Sequence, residues 1–261
     1  MRSSAARVFQ LLDAFTSAAK GLSLTQLSRR SGLPLTTVHR FAHELRRLGV
    51  LECDADGRYR IGLRLWEIAA HAPRGVGLRE AAMPFLEDLY EATHENVQLA
   101  VRDGHDVVYI EHIAGRRAVG VLTQVGLRFP LHATGVGLVL LAFADDAFQE
   151  EVMNAPLTGF TPKTIQDPSS LRRKLADVRQ QGFAISDRQV TMDALSVAAP
   201  VRDADGAVVA AVSLVVTANV SPTAIAPAVV AAGRGISRVL RDAGIVLLPT
   251  EADAEADLQS G

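Results

Sequence analysis

Thr36, Thr37, His39, Arg40, His43, Arg46 and Arg47 share one side of a helical period. Val38, Phe41, Ala42, Leu45 and Leu48 fall at i, i+3, i+4, i+7 and i+10 on the other. Hydroxyls and guanidiniums without a carboxylate among them donate to phosphate oxygens and base edges, and Arg40 suits a bidentate contact to guanine. Arg58 and Arg60 alternate with Tyr59 and Ile61. In a strand both arginines therefore share one face, where a phosphate backbone could lie. Catalytic patterns are missing from the chain. It holds no G-x-S-x-G, H-E-x-x-H, P-loop or C-x-x-C, and its G-V-G-L repeats at Gly75 and Gly135 do not complete a dinucleotide fingerprint. Of seven histidines only His39 and His43 are spaced i,i+4, with no third ligand in view, so no metal or other cofactor is expected.

The elements that must position these side chains can be read around them. Leu24 and Leu27 recur three apart, with Thr25, Gln26, Arg29 and Arg30 left outside. Gly32 is a C-cap signal, and Pro34 suits the first turn of the next helix. Helix, glycine turn and a second, polar-faced helix make a helix-turn-helix layout for double-stranded DNA. The set assigned to DNA is Thr25, Gln26, Pro34, Leu35, Thr36, Thr37, His39, Arg40, His43, Arg58 and Arg60. The plainer reading of the helix pair is a small packing module with a solvated polar face. Upstream, residues 2–19 read as a supporting helix with an apolar stripe of Val8, Leu11, Leu12 and Phe15, capped by Ser3 or Ser4. Downstream, strands at 50–53 and 58–61 flank an Asp54–Gly57 turn. A basic hairpin after a recognition helix is a wing, and it favours the DNA reading.

Composition agrees. The chain has 261 residues, 48% hydrophobic and 21% charged, enough for two globular domains. Its net charge of −2 hides a split: residues 1–72 hold 11 Lys+Arg against 6 Asp+Glu, and the rest hold 16 against 23. A basic module for a polyanion is thus joined to an acidic one with another task, near residues 73–77. The single cysteine, Cys53, excludes a disulfide framework. The N-terminus lacks a signal-like apolar run, and no run of about eighteen apolar residues occurs, so a cytoplasmic protein off the membrane is expected.

The segments GLPLTTVHRF, LRRLG, YRIG and LRLWEIA resemble the start of the IclR family of bacterial transcription regulators. Thr37, Val38 and Arg40 match its GLP-x-(S/T)-T-V-x-R pattern, and Leu35 stands where a polar or basic residue is common. The resemblance implies a winged helix-turn-helix over residues 1–63 and linker helices over 64–93. Those helices would help to dimerise the DNA-binding modules. A helix merely packed on the second domain is the alternative for 77–91, where Pro84 would kink or restart it.

Beyond residue 94 the period shifts. Strands are predicted at 96–101, 107–113, 118–123, 183–187, 193–201 and 207–217, and helices at 138–143, 169–181 and from Pro222, with Ser221 as cap. A polar loop is read at 157–168. The domain class is α+β. FPLHATGVGL resembles the family's PLHAT-x-x-G-K-x-x-LA signature, with Leu138 in place of lysine. SDRQVTMDALSVAAPVRDADGAVVAAVSLVV resembles a later run, with Gln189 where glutamate and Asp193 where glycine are frequent. These imply a GAF-like effector-binding domain over 94–248. Its pocket wall would include His132, Gly135, Val136, Asp187, Ala194, Ser196 and Ser213. His132 and Asp187 could form an acid/base pair, although a hydrogen-bonded ligand anchor is simpler. The implied partners are a pseudo-palindromic operator, a small organic effector such as an aromatic or carboxylic acid, and further copies in a dimer or dimer of dimers. The acidic stretch 249–261 reads as a disordered tail. The rival function is a metabolite-processing enzyme with an N-terminal oligomerisation module.

Overall fold

A computed structural model describes residues 3–15, 21–72, 76–115, 119–120 and 122–247. The chain forms two compact units, Met1–Ala72 and Pro73–Gly261.

In the first unit, helix α1 (Ser4–Leu12) starts where the Ser3 hydroxyl accepts from the Ala6 N–H. It is shorter than the helix read over 2–19, of which residues 2 and 16–19 lie outside the described ones. Helix α2 (Leu24–Ser31) opens with a reciprocal capping box between Ser23 and Gln26. It closes at Gly32, whose φ of 67° is left-handed and costs a glycine little. Helix α3 (Leu35–Arg47) takes Pro34 as its N-cap, one residue outside the position expected for it. Val38, Phe41, Ala42 and Leu45 of α3 are buried with Leu11, Leu22, Leu27 and Leu51. Burying each such large side chain contributes about 1.5–3 kcal/mol, and that anchors the polar face outward. Strands β1 (Leu51–Cys53) and β2 (Tyr59–Ile61) pair antiparallel as the wing. Two backbone bonds between Leu22 and Tyr59, of 2.9 and 2.8 Å, fasten the wing to the entrance of α2. Helix α4 (Leu63–Ala69) follows, and none of its residues is buried.

The second unit is built on a six-stranded antiparallel sheet. Its strands are β3 (Asn96–Asp103), β4 (Asp106–Ile113), β5 (Arg128–Pro130), β6 (Ala184–Asp187), β7 (Ala194–Arg202) and β8 (Val208–Thr217). They lie in the order β5-β4-β3-β8-β7-β6. Helices α5 (Val76–Thr93) and α9 (Pro222–Asp242) pack with one face, where Val97, Leu99, Val197, Val212 and Leu214 point. The other face presents Ala100, Ala198 and Ala211 to α6 (Gly135–Ala142), backed by α7 (Asp146–Asn154) and α8 (Pro168–Gln181). Small side chains there let α6 come close, and all eight of its residues are buried.

The structure departs from the sequence reading at four places. Helix α5 does not restart at Pro84 but continues through it; Pro84 is exposed, so a carbonyl freed by the missing N–H is open to water. Its face of Leu78, Ala82, Leu86 and Leu89 is part of the second unit's core. The strand predicted at 118–123 is not one among the described residues there; Ala118 and Val121 lie outside them. Side chains hold this segment in place of a backbone ladder. Asn96 Nδ2 donates to the Val119 carbonyl at 2.8 Å, and the Gln98 amide bonds the Thr123 hydroxyl. Helix α7 escaped the sequence reading, although Asp145 caps it on the Phe148 N–H at 2.7 Å. Ser221 precedes Pro222 as expected, yet its hydroxyl bonds Thr223 and makes no cap bond.

Candidate functional sites

The first site is the outer face of α3. Thr36, His39, Arg40, His43, Arg46 and Arg47 are exposed there because the four apolar positions are held inward. The Arg40 guanidinium lies over the Phe41 ring, its carbon 4.4 Å from the ring centroid, a cation–π contact made by a residue that stays exposed. Thr37 is half-buried and its hydroxyl accepts from Arg7 Nη2 at 3.1 Å. Arg7 of α1 therefore joins this face, and the sequence reading missed it. Its signal was present: Arg7 precedes the stripe residue Val8, on the polar side of α1.

The remaining candidates divide. Thr25, Pro34 and Leu35 are exposed at the helix starts, with Leu35 half in solvent. Gln26 spends its amide oxygen on the Ser23 N–H at 2.9 Å, so it builds the start of α2. On the wing Arg58 is exposed, whereas Arg60 is bonded to the Asp54 carboxylate at 2.8 Å. The Arg58 N–H, and then Arg60, hold Asp54 below the usual carboxylate range. Among the described residues no carboxylate pairs with Arg40, Arg46, Arg47 or Arg58. A basic surface with uncommitted guanidiniums is what a polyanion needs.

The second site is a cavity of about 60 Å³ between the sheet and the start of α6. Alternation places Gln98 of β3, Ser196 of β7 and Val215 of β8 on the α6 side of the sheet. Tyr109 and Phe129 line it from β4 and β5, and Thr134, Gly135 and Val136 from the first turn of α6. Ser186, Gln189, Val190, Thr191 and Ala194 close one side, and Leu122 and Thr123 cover another. Every lining residue is uncharged. Burial pushes the Tyr109 phenol far up, against a smaller pull from Thr134, so it stays protonated.

Some of these polar groups are already committed. The Thr134 hydroxyl caps Gly137 at 3.0 Å, and Ser186 donates to the Ala133 carbonyl at 3.2 Å. Gln189 is buried, and its oxygen accepts from the Ile165 N–H at 3.2 Å. Among the described residues the hydroxyls of Thr191 and Ser196 have no hydrogen-bond partner, and the Gly135 and Val136 N–H groups open α6, where no intrahelical acceptor exists. A Cβ on Gly135 would lie 2.7 Å from Ser196 Oγ, so glycine keeps this wall open.

Gly135, Val136, Ala194 and Ser196 of the sequence set line the cavity. The other three lie off it. His132 is buried but turns Nε2 to the Thr158 carbonyl at 3.0 Å, and burial lowers its pKa. Asp187 follows Ser186 on β6, and alternation carries it off the lining, where it pairs with Arg188 at 2.8 Å. His132 and Asp187 thus have separate partners. Ser213 is fully buried behind Gln98, to whose oxygen it donates at 3.2 Å. The residues missed, chiefly Gln98, Tyr109 and Phe129, come from segments that meet only on folding. Among the described residues no group of three His, Cys, Asp or Glu side chains could hold a metal, and no helix is long and apolar enough to cross a membrane.

Comparison with known proteins matches both units to one family. Residues 4–55 match the IclR helix-turn-helix domain, and residues 70–238 match the bacterial transcriptional regulator IclR C-terminal domain. The chain is 32% identical over 213 residues to the HTH-type transcriptional regulator XynR of Escherichia coli, covering 81% of this chain and 84% of that one. It is 32% identical over 214 residues to the Pca regulon regulatory protein of Pseudomonas putida, covering 81% and 73%. Among solved structures, an IclR homolog from Microbacterium hydrocarbonoxydans complexed with 4-hydroxybenzoate superposes with a TM-score of 0.87 at 34% identity, covering 92% of this chain and all of that one. The Thermotoga maritima IclR superposes with a TM-score of 0.75 at 25% identity, covering 91% and 98%. The chain belongs to the IclR family of bacterial transcriptional regulators, as a helix-turn-helix protein that binds DNA.

Proposed function

We propose that this regulator binds a pseudo-palindromic operator as a homo-oligomer in the cytoplasm, and that a small organic acid in the α6 cavity sets its operator affinity. One observation carries the reading: a single chain presents an unneutralised basic helix face and, in its other unit, an uncharged cavity with uncommitted donors. On DNA, α3 enters the major groove, with Arg40 on a base edge and Thr36, His39 and His43 beside it. Thr25, Pro34 and Arg58 meet phosphates. Two copies place their recognition helices in half-sites about 34 Å or a multiple apart. Leu63, Trp66 and Ile68 of α4 are each more than half exposed, so a second copy on α4 is the economical way to cover them.

The cavity favours a neutral or singly charged ligand with one carboxylate. Such a group is satisfied by the Gly135 and Val136 N–H groups at the positive end of α6 and by the Ser196 hydroxyl. The Tyr109 and Phe129 rings and Val136 suit an aromatic body, as in the relative that holds 4-hydroxybenzoate. At about 60 Å³ the cavity has room for about two waters. A benzoate therefore needs its cover to shift, and Leu122, exposed at the mouth, is the wall free to give. A ligand that binds only after such a shift has different affinities for two arrangements, which regulation requires.

An enzyme is less well supported. The lining offers hydroxyls and amides but no base, and the nearby His132 is tied to a carbonyl. The test is fluorescence anisotropy with DNA from beside the gene over a salt series, followed by a panel of monocyclic aromatic acids. Selective binding that weakens steeply with salt and shifts with one acid is the expected result. Binding that is equal on all sequences, or unmoved by the panel, would refute the operator or the effector half respectively.

A further inference from the structure

A groove of about 540 Å³ on the second unit, which shares no lining residue with the α6 cavity, is lined by five arginines. Arg179 comes from α8, Arg202 from β7, and Arg234, Arg238 and Arg241 from α9. No carboxylate is among the lining residues, and among the described residues no acidic side chain pairs with the three on α9. Those three stand at i, i+4 and i+7, on one stripe of the helix, where like charges repel. Arg238 and Arg241 gain from the negative end of α9, but Arg234 lies about two turns back, beyond that influence. The patch calls for an anionic occupant.

We propose that the occupant is this chain's own acidic segment, Glu251-Ala252-Asp253-Ala254-Glu255-Ala256-Asp257. Acid and alanine alternate strictly there, so an extended run sets all four carboxylates on one side at intervals of ~6.7 Å. The α9 arginines succeed one another at ~4.5–6 Å, a near match. The approach is also supplied. Ala204 N–H donates to the Ile245 carbonyl at 3.2 Å, which ties the chain after α9 two residues from Arg202 at the groove. From the buried Leu247, four residues reach Glu251, a span of up to ~14 Å. Running back along α9, the segment meets Arg241, Arg238 and Arg234 in turn. A composition too polar to form a core becomes ordered only by finding countercharge. The consequence, which rests on the DNA-binding reading, is that the segment keeps the three exposed arginines of α9 from holding non-operator DNA.

Arginine-selective labelling with phenylglyoxal, mapped by mass spectrometry, tests the occupant without DNA or effector. Three chains are compared: the full one, one ending at Leu248, and one carrying Glu251→Gln, Asp253→Asn, Glu255→Gln and Asp257→Asn. Arg234 and Arg238 should react several-fold more slowly in the full chain than in both variants. Raising salt to 1 M, where the screening length falls to ~3 Å, should erase the difference. A synthetic 249–261 peptide at ~1 mM, the effective concentration of a short tether, should restore protection to the truncated chain. Equal rates in all three chains overturn the proposal. So does protection that survives truncation and grows with protein concentration, which gives the face to a second copy. Protection of the truncated chain by inorganic phosphate but not by peptide also overturns it, in favour of a small-anion site.

Discussion

Arg40 and Gly135 act through opposite physics, one by projecting a charge and the other by lacking a side chain. Arg40 stacks on Phe41 with no carboxylate partner, so little must be broken before it reaches DNA. Arg40→Ala should cost ~1–3 kcal/mol of discrimination at one operator base pair, measured by anisotropy against single-base variants. Arg58→Ala should instead weaken all sequences alike and lower the log–log salt slope by about 1. Arg60→Ala should do less than Arg58→Ala, because Arg60 is already engaged with Asp54. At Gly135 a methyl group meets Ser196 Oγ at 2.7 Å. Gly135→Ala should keep operator binding and lose the response to an aromatic acid. A variant that responds as the parent does would show that ligand binds elsewhere.

Elements explain which side chains are free to act. The capping box spends Ser23 and Gln26 on starting α2, so Ser23→Ala should lower the first unit's unfolding free energy by about 1 kcal/mol in urea titrations. Gln26→Ala should act through stability in the same way and leave base preference unchanged. His132 shows the reverse case, a polar group built into the core. Its burial lowers the pKa, which the Thr158 carbonyl only partly offsets. The folded protein therefore favours neutral imidazole, while the unfolded chain protonates near 6.5. Stability is complete above that value and falls as the pH drops below it, because the unfolded state then binds more protons. Denaturant midpoints from pH 7.5 to 5.5 should show this fall, reduced in His132→Gln. The strand read at 118–123 failed at this scale. Its residues have strand-like types, but Asn96 and Gln98 hold the segment by side-chain bonds that no local pattern reveals.

At the scale of the molecule, α4 is the feature left unfinished in one copy. Trp66 is 62% exposed and Leu63 64%, on a seven-residue helix that buries nothing. Trp66→Arg should shift the protein toward monomer in sedimentation velocity and weaken operator binding more than half-site binding. An unchanged oligomer would place the interface elsewhere.

What sequence settled by itself was local. The α3 stripe as far as Leu45, the Gly32 cap, the wing turn and the α9 start follow from neighbours a few residues apart, and the charge split follows from composition; Leu48, read as the end of that stripe, is instead the exposed C-cap of α3. Local periodicity also showed which face of α3 is polar, because burial of Val38, Phe41, Ala42 and Leu45 leaves no alternative. Tertiary structure decided the cavity. Gln98, Phe129, Gly135, Gln189 and Ser196 are brought together by the antiparallel order β5-β4-β3-β8-β7-β6. The same folding turned Asp187 to Arg188 and His132 to Thr158. Whether a polar side chain serves a ligand or the fold depends on which partner reaches it first, and that partner is set by contacts distant in sequence.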